Sequence, residues 1–314
     1  MLRTDTARVA YVFPGQGAQW VGMGYDLYQS FPVARAVFEM ADEALGFLLS
    51  RLCFEGPEEE LRQTINVQPA VLVVSIACLR ACQEVDGSGG LPLPSFVAGH
   101  SLGEYTALVA AGMLDVVDAV RLVRERGRLM HETGQANPGG MVAMMGIDQV
   151  SLEEICQQSG AQIANINCPG QIVISGAGEA LAQAVEMAKA RGARRAVTLE
   201  VSGAFHSALM RPALTALSRV ISSQAFAPPR FPIVANTTAQ PLTSAEAIKE
   251  ELIEQLCHCV QWQRSIEYMI GAGISTFIEI GPGQVLSGLI KRISKEVQTL
   301  NVGDVPSVKA VGIT

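Results

Sequence analysis

The first residues that could do chemistry lie in GHSLGEY, residues 99–105, which match the pattern G-x-S-x-G around Ser101. Small residues on both sides of a serine permit a sharp strand-to-helix turn that exposes the hydroxyl as a nucleophile. The amides that open the following helix, with Leu102 N–H first, could stabilise an oxyanion at the same place. A glycine-rich turn without chemistry fits the five residues too, so the neighbouring elements must decide.

A serine hydroxyl needs a nearby base, and the chain has four histidines. His100 adjoins Ser101, so its side chain leaves the turn in another direction, and we expect a structural role for it. His131 at a helix end and His258 between two cysteines are typical of ordinary structural positions. His206, in SGAFHS, lies where the chain returns from one unit of the fold to another, and a loop there can face the serine. We therefore predict His206 as the base.

Arg126 is a third candidate, because it lies on the apolar stripe of a predicted helix over 116–130. It follows Leu122 by four residues and precedes Met130 by four. An inward guanidinium needs an anion, either a buried structural carboxylate or a substrate carboxylate held in a bidentate pair. Beside a nucleophile and a base we favour the substrate, with Met130 in the same binding set. The other arginines of this helix fall elsewhere around it, as surface charges should: Arg121, Arg124 and Arg128.

The elements around Ser101 are those that a nucleophile requires. The apolar run at 9–13 leads into the glycine-rich loop Gly15-Gln16-Gly17, and a second strand-like run at 96–98 leads into the serine. Residues 104–112 are rich in helix-forming alanine and leucine. Strands and helices alternate again after residue 230, which predicts an α/β fold with a largely parallel sheet.

Residues 141–201 have a separate pattern. Their order β-α-β-β-α-β, with a helix opened by the capping sequence at 151–154, is typical of a ferredoxin-like unit. We predict a catalytic core of residues 1–135 and 204–314 with a ferredoxin-like inserted subdomain at 136–203. We expect the last residues, 301–314, to be only partly ordered.

Composition excludes several classes of function. The 314 residues are 49% hydrophobic and only 17% charged, which describes a packed chain with room for about two domain-sized units. A net charge of −7 argues against nucleic acid as the main partner. Seven cysteines without paired CxxC motifs, Cys257-His258-Cys259 included, predict neither a disulfide framework nor a metal site. Without an apolar run of membrane-spanning length or a secretory signal in MLRTDTARVAYVF, we expect a cytoplasmic protein.

Six separated motifs together resemble the malonyl-CoA:acyl carrier protein transacylase family, and with it the related acyltransferases of polyketide synthesis. The resemblance covers nearly the whole chain, and the joint order of the motifs is far more specific than any one of them. They are FPGQGAQWVGMG at 13–24, GHSLGEYTALVAAG at 99–112, VRERG at 123–127, GAFHSALM at 203–210, VQW at 260–262 and GPGQVLSGL at 281–289.

The resemblance implies an α/β-hydrolase-like core and a role for each candidate. Ser101 would be acylated by a thioester, with His206 as base and later acid. Gln16 N–H would join Leu102 N–H as the oxyanion hole. Arg126 would hold the free carboxylate of a malonyl group.

The resemblance also implies positions further from the reaction. Gln255 would orient the histidine through its backbone carbonyl, where a Ser-His-Asp hydrolase uses a carboxylate. Asn165 and Asn167 match positions near the pantetheine arm, and Phe205 matches a bulky residue that disfavours methylmalonyl groups. CoA would enter as part of the substrate, with no cofactor or metal.

The partner implied is an acidic acyl carrier protein of fatty acid or polyketide synthesis, so two basic clusters become candidate docking sites. One is the run that contains Lys189 and Arg194, and the other is Lys291 with Arg292. Each cluster fits a solvated helix face equally well. We expect a monomer.

Two other functions stay open. A serine hydrolase or thioesterase would use Ser101 and His206 equally well, but one that acts on neutral acyl groups has no use for Arg126. A non-catalytic docking module would be free to lose any of the three. A dinucleotide site at Gly15-Gln16-Gly17 is excluded because the full G-x-G-x-x-G pattern is missing.

Overall fold

Two sheets carry the fold in the computed structural model, which describes residues 8–85 and 91–311. The strands are β1 (Val9–Phe13), β2 (Phe96–Gly99), β3 (Gly140–Met145), β4 (Gln162–Cys168), β5 (Gln171–Gly176), β6 (Arg195–Thr198), β7 (Ile233–Val234), β8 (Pro241–Leu242), β9 (Thr276–Ile280) and β10 (Gln298–Val302). The helices are α1 (Tyr25–Ser30), α2 (Pro32–Leu45), α3 (Leu49–Glu55), α4 (Glu58–Arg62), α5 (Thr64–Glu84), α6 (Leu102–Ala110), α7 (Val116–Ala136), α8 (Gln149–Ser159), α9 (Gly178–Ala190), α10 (Arg211–Ser223), α11 (Ala245–Glu254), α12 (Trp262–Gly271), α13 (Val285–Ile293) and α14 (Val305–Val311).

The larger sheet has the order β10-β9-β1-β2-β7-β8. Its strands from β10 to β7 are parallel, and β8 is antiparallel to β7. Every residue of β1 and of β9 is buried, as expected for central strands of a sheet that helices cover on both faces. The predicted α/β class with a parallel sheet is confirmed.

The ends of β1 and β2 lie side by side. Phe13 pairs with Gly99, so the loops that follow the two strands leave the sheet at the same edge. A Cβ atom at Gly103 would lie 2.1 Å from the carbonyl oxygen of Phe13, so only glycine lets α6 begin this close to β1. This edge therefore brings Gln16 and Ser101 into one region.

The smaller sheet is antiparallel, with the order β4-β5-β3-β6, and α8 and α9 belong to the same segment. The element order predicted for residues 141–201 is present. The predicted start of its first helix is wrong: Asp148 is the N-cap and accepts from the backbone N–H of Ser151, 2.9 Å away. Ser151 resembles a cap in sequence but lies within the first turn.

The expectation of partial order after residue 301 is also wrong within the described residues. Residues 298–302 form β10, the edge strand beside β9, and α14 follows. The strand QTLNV is mostly polar and half exposed, so it lacks the apolar run that marks a central strand. The structure does not describe residues 312–314, so that part of the expectation is not tested. The same holds for residues 1–7, which belong to the segment where no secretory signal was expected.

In the described part of the chain, α5 is long and apolar enough to cross a membrane by length and composition. Polar residues such as Gln68 and Ser75 interrupt its apolar run, which is why the sequence predicts no span. The fold buries 89% of its most apolar window, as for the core helix of a globular domain.

Candidate active site

Ser101 lies in a strained turn between β2 and α6. Its φ of 52° and ψ of −106° fall in a region that residues with a side chain rarely adopt. Such strain persists only where the surrounding structure fixes it, and it clusters at active sites. The strand, sharp turn and helix predicted from GHSLGEY are all present.

His206 lies directly against Ser101, in the loop that follows β6. Its Nε2 is 2.8 Å from Ser101 Oγ, and its Nδ1 is 2.8 Å from the backbone oxygen of Gln255. A carbonyl oxygen only accepts, so Nδ1 carries the proton and Nε2 is free to accept from the serine hydroxyl. The structure thus brings together the predicted nucleophile, the predicted base and the carbonyl predicted to orient that base.

The environment of His206 keeps it neutral. Burial lowers its pKa to about 3, and the positive charge of Arg126 acts in the same direction. An ordinary histidine has a pKa near 6.5 and is largely protonated at mildly acidic pH. His206 is therefore ready to accept a proton well below neutral pH.

We expect the rate of Ser101 acylation to stay level between about pH 8 and about pH 5, because the base loses its function only near its own lowered pKa. Single-turnover acylation by an acyl-CoA across this range measures the effect. A half-loss near pH 6.5 would show an unshifted base. Circular dichroism at each pH is the control for unfolding. In the unfolded chain His206 gains a proton below about pH 6.5, whereas in the folded protein it does not, so the free energy of unfolding declines as pH falls.

Arg126 lies beneath the serine and is 1% exposed. It donates from Nη1 to Gln68 Oε1 and from Nη2 to Gln255 Oε1, each at 2.8 Å, and Nη2 is 3.3 Å from Ser101 Oγ. Within the described residues no carboxylate lies in ion-pair distance of its guanidinium, and its buried Nε has no partner. The sequence analysis allowed either a structural carboxylate or a substrate carboxylate as the partner of Arg126. Among the described contacts no structural carboxylate takes that place.

Two backbone N–H groups complete the arrangement. Gln16 and Leu102 line the same cavity as Ser101, and no hydrogen bond from either backbone N–H is found among the described residues. The first residue of a helix has an unsatisfied N–H, and the helix dipole adds positive potential there. The pair fits the predicted oxyanion hole.

Two cavities meet at this place. The one that contains Ser101, Arg126 and His206 measures about 90 Å³, and Met130 and Phe205 are part of its wall. A larger cavity of about 210 Å³ runs beside it between the two sheets. Four residues line both: Gln16, His100, Asn165 and Leu199. The small cavity suits a short acyl group and the larger one a longer chain that leads to it.

The two predicted asparagines lie on β4, where Asn165 lines both cavities and Asn167 lines the larger one. Asn165 is buried, and no partner for its Oδ1 is found in the described part of the chain. A bridge to Val260 holds its strand. Asn167 accepts from His100 Nε2 at 2.8 Å. Because burial lowers the pKa of His100, this ring supports the wall as a neutral donor. The structural role predicted for His100 fits this contact.

The basic residues predicted for docking lie outside both cavities, on the surface. Arg292 donates to Gln171 Oε1 at 2.5 Å, and Gln171 lines the larger cavity. Exposed Lys291 precedes it in the last turn of α13. In the other cluster, Lys189 pairs with Glu186 at 2.8 Å, and Arg194 packs against Gly146.

Sequence reasoning missed three residues that hold the site. Gln68 and Asn236 are buried amides that contact Arg126 and the Ser101 backbone, and Glu104 is a buried carboxylate that contacts Asn236. The sequence did carry a signal for two of them, namely a polar residue next to apolar ones. Gln68 precedes the apolar run PAVLVV, and Asn236 follows the apolar residues of β7. Glu104 is part of GHSLGEY itself.

The remaining histidines and the cysteines show no comparable arrangement among the described residues. The helix α7 extends to Ala136, so His131 lies inside it, where it contacts Gln135. His258 is exposed and bonds to Glu254. Seven unpaired cysteines lie in the described part of the chain, where no cluster of three metal-ligating side chains is found.

The comparison with known families agrees with this geometry. The family described as acyl transferase domain matches residues 10–313, nearly the full chain. The chain belongs to the acyl transferase family. This acyl transferase is 46% identical to the malonyl CoA-acyl carrier protein transacylase of Bacillus subtilis, over 96% of both chains.

Solved structures agree over the same length. The acyl transferase superposes with a TM-score of 0.93 on an acyl carrier protein S-malonyltransferase from Vibrio cholerae, at 40% identity over 97% of this chain and 100% of that one. It also superposes with a TM-score of 0.93 on a malonyl-transacylase solved with a type II PKS acyl-carrier protein, at 42% identity over 97% and 99% of the two chains. The mixed α/β fold is therefore that of known transacylases.

Proposed function

We propose that this chain transfers a malonyl group from malonyl-CoA to the phosphopantetheine thiol of an acyl carrier protein through an ester on Ser101. The observation that carries the proposal is Arg126, a buried guanidinium within 3.3 Å of Ser101 Oγ that faces the small cavity without a carboxylate partner in the described chain. The names of its relatives point to the same acyl group and partner.

The site supports each step of that reaction. Ser101 Oγ attacks the thioester carbonyl while its proton passes to His206 Nε2. The oxyanion of the tetrahedral intermediate accepts from Gln16 N–H and Leu102 N–H. When the intermediate collapses, the C–S bond breaks and His206 gives its proton to the sulfur of the leaving CoA. The carrier thiol then gives its proton to His206 and attacks the ester, and Ser101 Oγ leaves and regains the proton.

Arg126 supplies selection for the acyl group. A malonyl carboxylate in the small cavity can accept from its guanidinium, whereas an acetyl group leaves the charge without a partner. A buried charge without a partner is costly, typically by a few kcal/mol. We therefore expect acetyl-CoA to be a poor substrate.

A first experiment separates this proposal from the two alternatives. Intact-protein mass spectrometry after brief exposure to malonyl-CoA or acetyl-CoA reports which acyl group the protein retains. A malonyl adduct in clear excess over an acetyl adduct supports the transferase. Equal acyl uptake from both supports a general esterase, and the lack of any adduct or turnover supports a docking module.

The finer description of the fold is part of the proposal. We assign residues 136–203 to a ferredoxin-like insert in an α/β-hydrolase-like core of residues 1–135 and 204–314. The support is the antiparallel order β4-β5-β3-β6, in which β3 and β5 are the central strands. A monomer in the cytoplasm, without a cofactor, stays the expectation for the whole chain.

For carrier docking we favour Lys291 and Arg292, since the contact of Arg292 with Gln171 places this cluster at the larger cavity. Replacing both with glutamate is expected to slow transfer to carrier protein about tenfold while acylation by malonyl-CoA stays unchanged. Lys291→Glu alone is the cleaner variant, because Arg292 also bonds to Pro169 O. Comparable slowing of both half-reactions would contradict docking, and slowing by Lys189→Glu and Arg194→Glu instead would assign it to the other cluster.

A further inference from the structure

Glu104 is a buried carboxylate beneath the nucleophile, in the first turn of α6. Its Oε1 accepts from the backbone N–H of Asn236 at 2.9 Å and from Asn236 Nδ2 at 3.1 Å. Its Oε2 accepts from Gln255 Nε2 at 2.5 Å. Each carboxylate oxygen thus accepts from a different side-chain amide: Oε1 from Asn236 and Oε2 from Gln255.

The first amide holds the serine. Asn236 Nδ2 also donates to Gly99 O at 2.7 Å, so the nitrogen end of this amide faces two acceptors. Its oxygen must therefore face the other way, where Oδ1 accepts from the backbone N–H of Ser101 at 2.7 Å. This bond anchors the residue whose φ of 52° is strained.

The second amide holds the arginine. Gln255 Nε2 donates to Glu104 and to the backbone oxygen of Ser101, the latter at 2.9 Å. Its Oε1 is thereby directed to Arg126 Nη2, an exclusive donor, at 2.8 Å. The backbone oxygen of the same Gln255 accepts from His206 Nδ1.

We propose that Glu104 is a positioning residue whose oxygens fix the orientation of the Asn236 and Gln255 amides and thereby hold Ser101, Arg126 and His206 in register. An amide can satisfy this arrangement in only one of its two orientations, since a flip would place N–H groups against each other at Ser101 and at Arg126. The inference rests on the proposed acyl transfer and adds a residue that does not touch substrate.

The hydrogen bonds of Glu104 are those of an acceptor. Burial and the neighbouring Glu251 raise its pKa, and the N–H donors from Asn236 and Gln255 act in the opposite direction. An ionised carboxylate uses all these bonds as an acceptor, whereas a carboxyl proton would need an acceptor of its own. Burial lowers the pKa of Arg126, while Tyr105 and the charge of Glu104 act in the opposite direction.

Three variants test the inference: Glu104→Gln, Asn236→Asp and the two combined. Glutamine at 104 keeps the shape but adds an NH₂ group that opposes one of the two amides. Aspartate at 236 places a carboxylate oxygen against Glu104. In the combined variant the NH₂ of residue 104 can donate to the carboxylate of residue 236 while its oxygen still accepts from Gln255, which restores one donor–acceptor pair. The backbone N–H of residue 236 and Gly99 O stay without their partners, so the recovery is partial.

The measurement is the saturating rate of Ser101 acylation by malonyl-CoA, with the half-saturating concentration and the melting temperature recorded alongside. Each single variant is expected to lower the saturating rate roughly 10- to 100-fold, with a smaller change in the half-saturating concentration. The combined variant is expected to recover about tenfold over Asn236→Asp. A purely structural role would lower the melting temperature without this recovery.

Glu279→Gln is the matched control, because Glu279 is a buried carboxylate that caps α13 and touches none of the three catalytic groups. It is expected to lose stability and keep its saturating rate. Wild-type rates for Glu104→Gln, or a combined variant no faster than Asn236→Asp, would overturn the inference. The second comparison holds even where Glu104→Gln fails to fold. A wild-type protein that takes up no malonyl group would instead overturn the proposed function.

Discussion

Ser101→Ala is expected to lose at least about 10⁴-fold in malonyl transfer and to form no acyl-enzyme, because the variant loses the hydroxyl that bonds to His206 Nε2. The neighbouring donors remain, so substrate binding is expected to survive. The transfer rate to carrier protein and the intact mass after exposure to malonyl-CoA together measure the effect.

The control for this variant is Ser223→Ala, which removes a hydroxyl from α10 that bonds to Val220 O. It is expected to transfer at the wild-type rate. A stable malonyl adduct on Ser101→Ala would contradict the assignment and direct the search to another nucleophile.

Arg126→Ala is expected to slow acylation by malonyl-CoA roughly 100-fold or more while leaving acylation by acetyl-CoA much less affected. Removing one partner of a buried, hydrogen-bonded charge pair costs about 2–5 kcal/mol, and each 1.4 kcal/mol is a factor of ten. Acylation rates with the two thioesters, taken as a ratio, measure the selectivity directly.

Arg128→Ala is the matched control on the same helix. Arg128 pairs with Glu125 and Glu132 on the partly exposed face of α7, so its loss is expected to leave the ratio unchanged. Arg126→Lys keeps the charge but loses the two-pronged geometry, and we expect an intermediate ratio. Equal slowing with malonyl-CoA and acetyl-CoA in Arg126→Ala would show that Arg126 supports the fold of the site rather than the choice of acyl group.

Local pattern was enough to predict much of this site. The glycine neighbours of Ser101, with the strand and helix around it, predict a nucleophile. Arg126 stands out because the helical spacing places a charged side chain on the buried face of its helix. His206 required a topological step, since its loop meets the serine only because the chain returns there to the main sheet. The structure brings Ser101 within hydrogen-bond distance of both His206 and Arg126.

Long-range pairing explains what the sequence could not predict. The bond between Asn236 and Ser101 joins residues 135 positions apart, and nothing local to Asn236 indicates its partner. Similarly, β10 is recognisable as a strand only by its pairing with β9, because its own residues are largely polar. The helix cap at Asp148 was missed because Ser151, three residues later, has equally good capping chemistry.

We propose that the malonyl ester on Ser101 is passed to a carrier thiol in preference to water. Hydrolysis is the downhill reaction, so the small cavity around Ser101 must keep water from the ester. The direct test is to form the malonyl-enzyme with malonyl-CoA, remove free CoA, and divide the sample between buffer and acyl carrier protein bearing phosphopantetheine. We predict that the adduct persists in buffer and is discharged onto the carrier as malonyl-carrier protein. Release of free malonate at the same rate with and without carrier would contradict the account and make the protein a hydrolase.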